Sequence, residues 1–246
     1  MVNGIDGRRM KNGTRALLGA AGLCACVATL ALASGCSQRT QQRLFEERSS
    51  DKLTADGDRA LERGDAEAAA DRYDRAIDQH PGNFDARVKL ARIYLDFGEP
   101  FEAREQLEIV RPERPNDPEV LELLGRDLAE LGDADAINRR LRPVAQRTNA
   151  PQDWARLGRY LAVVGDVDGA EEALLRAARA DGGQTIDYQL ALADFYKGIG
   201  DEAQALRRYR MALFIDVSDE TTRAAIREMG EVPGPTFALV PEEANG

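Results

Sequence analysis

Glycines recur through most of this sequence at an almost constant spacing. The five that set the period are Gly64, Gly98, Gly132, Gly165 and Gly200, and the steps between them are 34, 34, 33 and 35 residues. Each is followed by a polar or acidic residue and then by a stretch of helical composition. Because glycine readily adopts the left-handed conformation that ends helices, each predicts the end of one helix and the start of another. The sequence therefore predicts an array of helix-turn-helix repeats.

Apolar residues keep the same register. Five residues after the glycines stand Ala69, Ala103, Ile137, Ala170 and Ala205. Twelve residues after them stand Ala76, Val110, Val144, Ala177 and Ala212, and nine residues after them stand Tyr73, Leu107, Leu141, Leu174 and Tyr209. The mostly small residues let two helices approach closely, and the large ones fill the space between neighbouring hairpins. Pro81 and Pro115 close the first two repeats, because proline prevents a helix from continuing.

A second set of positions precedes the glycines. Leu90, Leu124, Leu157 and Leu192 are each followed by a small residue, and three positions later by Tyr94, Leu128, Leu161 and Tyr196. The fullest version is Trp154-x-x-Leu157-Gly158. Across residues 50–217 the sequence resembles the tetratricopeptide repeat (TPR) family, which has Trp-x-x-Leu-Gly, Tyr, Ala, a large apolar residue, Ala and Pro in this order. The resemblance implies an all-α fold, a TPR-type α-solenoid of five helix pairs in a right-handed superhelix with a concave inner face.

The repeats depart from this pattern in places, and other segments flank them. The first repeat has Asp56-Gly57 in place of Leu-Gly, and Pro112 and Pro143 are predicted to shorten or kink the second helices of their repeats. Residues 218–230 are predicted to form a polar capping helix. Residues 231–246 are rich in Pro and Gly and predict a flexible tail, and residues 37–49 predict a polar tether.

The N-terminus has the layout of a secretory signal. A basic stretch from Arg8 to Arg15 precedes an uncharged apolar stretch, residues 16–33, which is followed by Ser34-Gly35-Cys36. Residues 32–36 resemble the lipobox of bacterial lipoproteins, which implies cleavage of residues 1–35 from the chain and acylation of Cys36. The resemblance also implies the outer membrane in a Gram-negative cell, since Ser37 rather than Asp follows the cysteine. The protein would then be a membrane-anchored lipoprotein of the cell envelope.

Two alternatives remain open for this segment. Residues 23–26 contain Cys24 and Cys26 and could act as an earlier lipobox, although this would leave residues 27–33 in the mature chain. The apolar stretch could also stay uncleaved as a membrane anchor, because about 20 residues span a bilayer. With either anchor the rest of the chain lies outside the cytoplasm. All three cysteines fall in this segment, so core burial must hold the fold without disulfides.

Composition excludes several function classes. Residues 37–246 carry 29 Lys and Arg against 42 Asp and Glu, which argues against nucleic acid as a partner. The acidity itself serves solubility or attracts a basic partner. The sequence predicts no enzyme, no cofactor and no metal, because the mature chain has one histidine, no cysteine available for chemistry and no Gly-rich phosphate loop. His80, before Pro81, fits a solvated turn residue better than a ligand.

Three arginines form the one candidate site. Arg92, Arg126 and Arg159 stand two residues after the leucines, and Asp58 and Asp194 hold this position in the flanking repeats. The resemblance places this position in the concave groove, where guanidinium groups would bind the carboxylates of an acidic segment or a chain terminus. The alternative is that the arginines pair with Asp96, Glu122 and Glu130 within the fold.

These observations predict a non-catalytic scaffold that binds a protein or peptide segment in its groove, in envelope assembly or secretion. A second hypothesis is a regulatory subunit that activates a peptidoglycan- or glycan-modifying enzyme. A third is a structural protein that self-associates through the open ends of the array.

Overall fold

The computed structural model describes the backbone of residues 17–245 and the side chains of residues 40–244. The regular elements in this part of the chain are all helical, which confirms the all-α prediction. The chain divides into two compact units, and the boundary follows Asn83.

The first unit contains one helix pair, α1 (Leu17–Glu62) and α2 (Ala66–Gln79). The first repeat has Asp56-Gly57 in place of Leu-Gly. Its glycine is required, because a Cβ on Gly57 would overlap the ring of Tyr73 on α2. A buried polar network joins the end of the pair to α1. The Asn83 amide donates to Ser50 Oγ at 2.8 Å and to Thr54 Oγ1 at 3.0 Å, so the loop after α2 is fixed to α1.

The second unit contains four hairpins and a shorter final helix. The hairpins are α3 (Phe84–Asp96) with α4 (Pro100–Val110), α5 (Pro118–Glu130) with α6 (Ala134–Thr148), α7 (Pro151–Val163) with α8 (Val167–Asp181), and α9 (Ile186–Gly198) with α10 (Glu202–Ile215). They are followed by α11 (Glu220–Glu228), in the predicted capping segment, and by a 3₁₀ turn, Glu242–Asn245. The three sets of apolar positions after the glycines are buried in every hairpin.

The repeated glycines end the first helix of each hairpin. All five have φ between +67° and +83°. The turn at Gly132 shows the pattern, since its N–H donates to Ala129 O at 3.0 Å and the next N–H, of Asp133, donates to Leu128 O at 3.1 Å. The Asp133 carboxylate then accepts from Ala136 N–H at 2.8 Å and caps α6. Gly-Asp thus stops one helix and starts the next.

Gly132→Ala is expected to lower the free energy of unfolding of the second unit by about 1–2 kcal/mol. No atom lies within 4 Å of a Cβ at this position, so the loss comes from the positive φ alone. Urea denaturation measures it. Gly198→Ala is the matched control, because Gly198 has equally open surroundings without a positive φ, and its stability should not fall. Equal losses in both variants would contradict this account.

Of the effects predicted for Pro112 and Pro143, shortening is found only at Pro112. Helix α4 ends at Val110, before Pro112, but α6 continues through Pro143 to Thr148. Proline removes one backbone hydrogen bond there, and the buried side chains of Leu141, Val144 and Ala145 hold the helix on both sides of it.

The N-terminal predictions fall largely outside the described residues. These predictions comprise the signal segment of residues 1–36 and lipidation at Cys36, whose side chain is not described. The predicted tether, residues 37–49, lies within α1. In the part of the chain that the structure describes, no helix has both the length and the apolar composition needed to cross a membrane.

The C-terminal segment is packed, in contrast to the predicted flexible tail. Phe237 and Ala238 contact the main hydrophobic core, Pro241 is buried, and Leu239 N–H donates to Arg210 O at 2.9 Å. The Pro and Gly content that predicted flexibility keeps the segment from forming an α-helix. It does not prevent an extended chain from burying its apolar side chains.

Candidate functional site

The three predicted arginines lie at equivalent positions on α3, α5 and α7, and each is paired with a carboxylate of a neighbouring hairpin. Arg126 donates to Asp96 Oδ1 at 2.6 Å, to Leu95 O at 2.9 Å and, within its own helix, to Glu130 Oε1 at 3.0 Å. The hydrogen bond to Asp96 raises the pKa of Arg126. Asp96 and Glu130 thus pair with Arg126 within the fold.

The other two arginines follow the same rule. Arg159 donates to both Glu122 oxygens at 2.9 Å, and Arg92 contacts Glu119. Sequence reasoning missed Glu119, because it lies on the next hairpin and no sequence spacing indicates it. The arginines therefore lie in exposed ion pairs that a competing carboxylate can replace at little cost, about 0–1 kcal/mol each.

The aspartates that flank the arginines are held by tyrosines of their own hairpins. Tyr73 OH donates to Asp58 Oδ1 at 2.7 Å in the first unit, and Tyr209 OH donates to Asp194 Oδ1 at 2.8 Å in the second. Burial and then the bond to Asp194 raise the pKa of Tyr209. The sequence contains a signal of this pairing. Hairpins with Asp in place of the arginine have Tyr nine residues after the glycine, and hairpins with the arginine have Leu there.

Glu122 is the centre of a charged cluster between hairpins. Besides Arg159, Arg156 Nε donates to it at 3.1 Å and Tyr160 OH donates to Oε1 at 2.7 Å. Burial, followed by the bond to Glu122, raises the pKa of Tyr160. Gly125 makes room for this arrangement, because a Cβ there would overlap the Tyr160 ring. The cluster fixes α7 against α5 and holds Arg159 at the edge of the next gap between hairpins.

That gap is a groove of about 770 Å³, here called the α7–α9 groove. Its apolar lining is Ala155, Ala162, Val163, Val167, Leu174, Tyr188, Leu190, Ala191, Phe195 and Ile199. Arg156 and Arg159 line it from α7, and Asp187 and Asp194 line it from α9. A smaller groove of about 270 Å³ continues from Leu190 and Asp194 towards α11. Of the three predicted arginines, Arg159 lines the α7–α9 groove; Arg92 and Arg126 lie on helices that do not border it.

Two exposed side chains mark the groove as accessible. Val163 is 67% exposed and Ile199 is 46% exposed. Large apolar side chains exposed together beside charges of both signs suit binding of a peptide segment. Within the described residues, no group of three His, Cys, Asp or Glu side chains is arranged to hold a metal.

Comparison with known proteins identifies the repeat in one part of the chain. The sequence model of the tetratricopeptide repeat family matches residues 60–126. Cellulose synthase operon protein C of Pseudomonas fluorescens strain SBW25 is 38% identical over 100 residues, which are 39% of this chain and 8% of that protein. The shared segment is thus a small part of that relative.

Two solved structures show the fold. A thermophilic TPR protein of Thermus thermophilus covers 73% of this chain with a TM-score of 0.52 at 22% identity, and this chain covers 98% of it. MamA of Desulfovibrio magneticus RS-1 covers 70% with a TM-score of 0.56 at 16% identity, and is itself covered over 97% of its length. The predicted TPR-type α-solenoid fold is confirmed.

Proposed function

We propose that this chain is a non-catalytic adaptor that holds a segment of a partner protein in the α7–α9 groove. Proteins of the TPR fold generally mediate protein–protein interactions. The observation that carries the proposal is the groove itself, whose lining includes exposed Val163 and Ile199 together with arginines of α7 and aspartates of α9.

The groove favours a segment with apolar and charged side chains. Val163, Ile199 and Tyr188 offer contact area to apolar side chains, and a buried apolar contact supplies most of the affinity of such interfaces. Asp187 and Asp194 offer carboxylates to a basic residue of the partner. The charges in the lining set the direction and register of the segment more than its affinity.

Arg159 is the member of the arginine set best placed to contact the partner. Its side chain is 58% exposed, and its pairing with Glu122 lies in solvent. A partner carboxylate can therefore take the place of Glu122 at little cost. In this proposal Arg92 and Arg126 bind carboxylates of a longer partner segment in the same way, by exchange with Glu119 and Asp96.

The cellular setting is also a proposal. We place the protein in the cell envelope, anchored through an acylated Cys36 and facing a partner of envelope assembly or secretion. The lipobox-like residues 32–36 and the apolar stretch before them support this placement. A regulatory subunit of a glycan-modifying enzyme is the second candidate function, and one observation favours it. The relative at 38% identity has a name that places it in a cellulose synthase operon.

Adding charge to the groove is expected to remove the partner. Val163→Glu/Ile199→Glu in the full chain should reduce the partner recovered from detergent-solubilised membranes at least about tenfold, since a charge would oppose the central apolar contact. Quantitative mass spectrometry of co-purified proteins measures the loss. The identity of the lost protein separates the two candidates, because glycan-modifying machinery would support the second.

Phe101→Glu is the matched control, because it adds a glutamate at another exposed apolar position, on α4. The partner should still co-purify with this variant. Cys36→Ala should leave the groove intact but move the protein out of the membrane fraction. If Val163→Glu/Ile199→Glu keeps its fold by circular dichroism and still retains its partners, the proposed role of the groove is contradicted.

A further inference from the structure

The C-terminal segment is seated on α10 as a bound peptide would be. We call residues 237–243 the strap. Leu239 N–H donates to Arg210 O at 2.9 Å, and Arg210 Nε donates to Phe237 O at 2.8 Å. These two hydrogen bonds fix the strap backbone to one residue of α10, independently of the strap's side chains.

The apolar side chains of the strap occupy defined places. The Arg210 guanidinium lies over the Phe237 ring, 4.7 Å from its centre. Pro241 is buried over Gly183, where a Cβ would come within 2.7 Å of the proline Cβ. The surface therefore requires a glycine at this point and selects an aromatic residue and a proline four residues apart.

The two acids of the strap complete the contact. Glu243 Oε1 accepts from Arg208 Nη1 at 2.7 Å, and Gln189 Nε2 donates to Glu243 Oε2 at 3.1 Å. Glu242 contacts Arg207. The side chains of Arg208 and Glu243 are only 6% and 5% exposed. Burial is the largest influence and raises the pKa of Glu243, but the hydrogen bonds from Arg208, a backbone N–H and Gln189, together with the charge of Arg208, bring the pKa below its usual value.

A buried guanidinium needs a carboxylate partner, because an unpaired buried charge is strongly unfavourable. Glu243 supplies this partner from the strap, whereas Gln189 supplies a neutral oxygen from α9 at 3.1 Å. The surface is thus built for an acidic segment. The connection between α11 and the strap includes Val232, which is 82% exposed, and it forms no helix. The strap can leave without unfolding a helix.

We infer that the surface of Gly183, Gln189, Arg207, Arg208 and Arg210 is a second peptide-binding site, distinct from the α7–α9 groove. It accepts a segment with Phe, then Pro four residues later, followed by two glutamates. The chain's own strap occupies the site until a partner segment of this chemistry displaces it. This inference does not depend on the proposed role of the groove, because none of the five residues lines it.

A labelled peptide of residues 231–246 is the probe. The test protein is the full chain carrying Phe237→Ala/Glu243→Gln, in which the tethered strap is weakened. It should bind the probe at least about tenfold more tightly than wild type, whose tethered strap competes at a high effective concentration. Fluorescence anisotropy measures binding. Arg208→Gln added to the weakened chain should reduce binding at least about tenfold, because the buried charge pair is lost.

A probe with the same Phe→Ala and Glu→Gln changes should bind neither chain. The inference is overturned if the weakened chain, folded by circular dichroism, binds the natural probe no better than wild type. It is also overturned if both probes bind equally. If the weakened chain does not fold, amide hydrogen exchange of wild type decides. Excess unlabelled probe should speed exchange at Leu239, and unchanged exchange would overturn the inference.

Discussion

Trp154→Ala is expected to lower the free energy of unfolding of the second unit by about 3–5 kcal/mol, the range for removing a buried tryptophan. Trp154 is 1% exposed and lies at the start of the α7–α8 hairpin. Its Nε1 donates to Asn149 Oδ1 at 3.2 Å, and the Arg176 guanidinium lies 4.9 Å from its ring centre. Alanine would leave a cavity at the contact between α7 and α8. Urea denaturation followed by circular dichroism measures the loss.

Two further variants make this result specific. Trp154→Phe keeps most of the buried ring, so its loss should be clearly smaller than that of alanine. Val163→Ala removes an apolar side chain from the same helix at a position 67% exposed, and its stability should stay within about 0.5 kcal/mol of wild type. A loss below about 1 kcal/mol for Trp154→Ala would contradict a core centred on this ring.

The features that the sequence predicted correctly are those that each repeat must satisfy locally. A positive φ after a helix favours glycine, so Gly64 and its four counterparts could be recognised one by one. Small residues recur five positions after the glycines, as at Ala69 and Ala170. They reflect a contact between adjacent helices of one hairpin, and this contact is repeated with the same spacing. Periodicity reveals such features because the same physical requirement recurs about every 34 residues.

The features that it missed depend on contacts between distant residues. Arg92 contacts Glu119 and Arg208 contacts Glu243, and these pairs are 27 and 35 residues apart. Each pair joins residues of two different hairpins or segments, so the periodicity of the repeat carries no signal of it. Pro143 does not shorten α6 for a related reason: the helix is held by the packing of Leu141 and Val144, which outweighs one missing hydrogen bond.

The groove illustrates the same limit. Its exposed apolar residues lie outside the repeated core positions, and they hold different places in the repeat: Val163 lies two residues before its glycine and Ile199 one residue before its own. Through the family resemblance the sequence predicted a concave groove lined by Arg92, Arg126 and Arg159, and of these Arg159 lines the α7–α9 groove. It could not show that Arg92 and Arg126 lie on helices that do not border this groove, because this depends on which neighbouring hairpins leave space between them.

Gly158→Ala is expected to destabilise the second unit by about 1–3 kcal/mol, although the repeats alone predict a harmless change. Ala91 and Ala193 occupy the same position in two other hairpins and are fully buried there. In the α7–α8 hairpin, however, a Cβ on residue 158 would lie 2.7 Å from Leu174 Cγ and 3.0 Å from the Leu174 backbone nitrogen. The backbone of α8 must move to admit it. Urea denaturation measures the loss.

The double variant Gly158→Ala/Leu174→Ala tests this cause. Leu174→Ala alone opens a cavity and should cost about 2–5 kcal/mol. Together the two changes should cost less than the sum of the single losses by about 0.5 kcal/mol or more, because the added methyl fills space that the leucine vacates. Additive losses would mean that contact with Leu174 does not set the approach of α7 and α8. A favourable coupling would show instead that the hairpin requires glycine at residue 158 because of the leucine opposite it, and that alanine suffices where the opposing side chain leaves room.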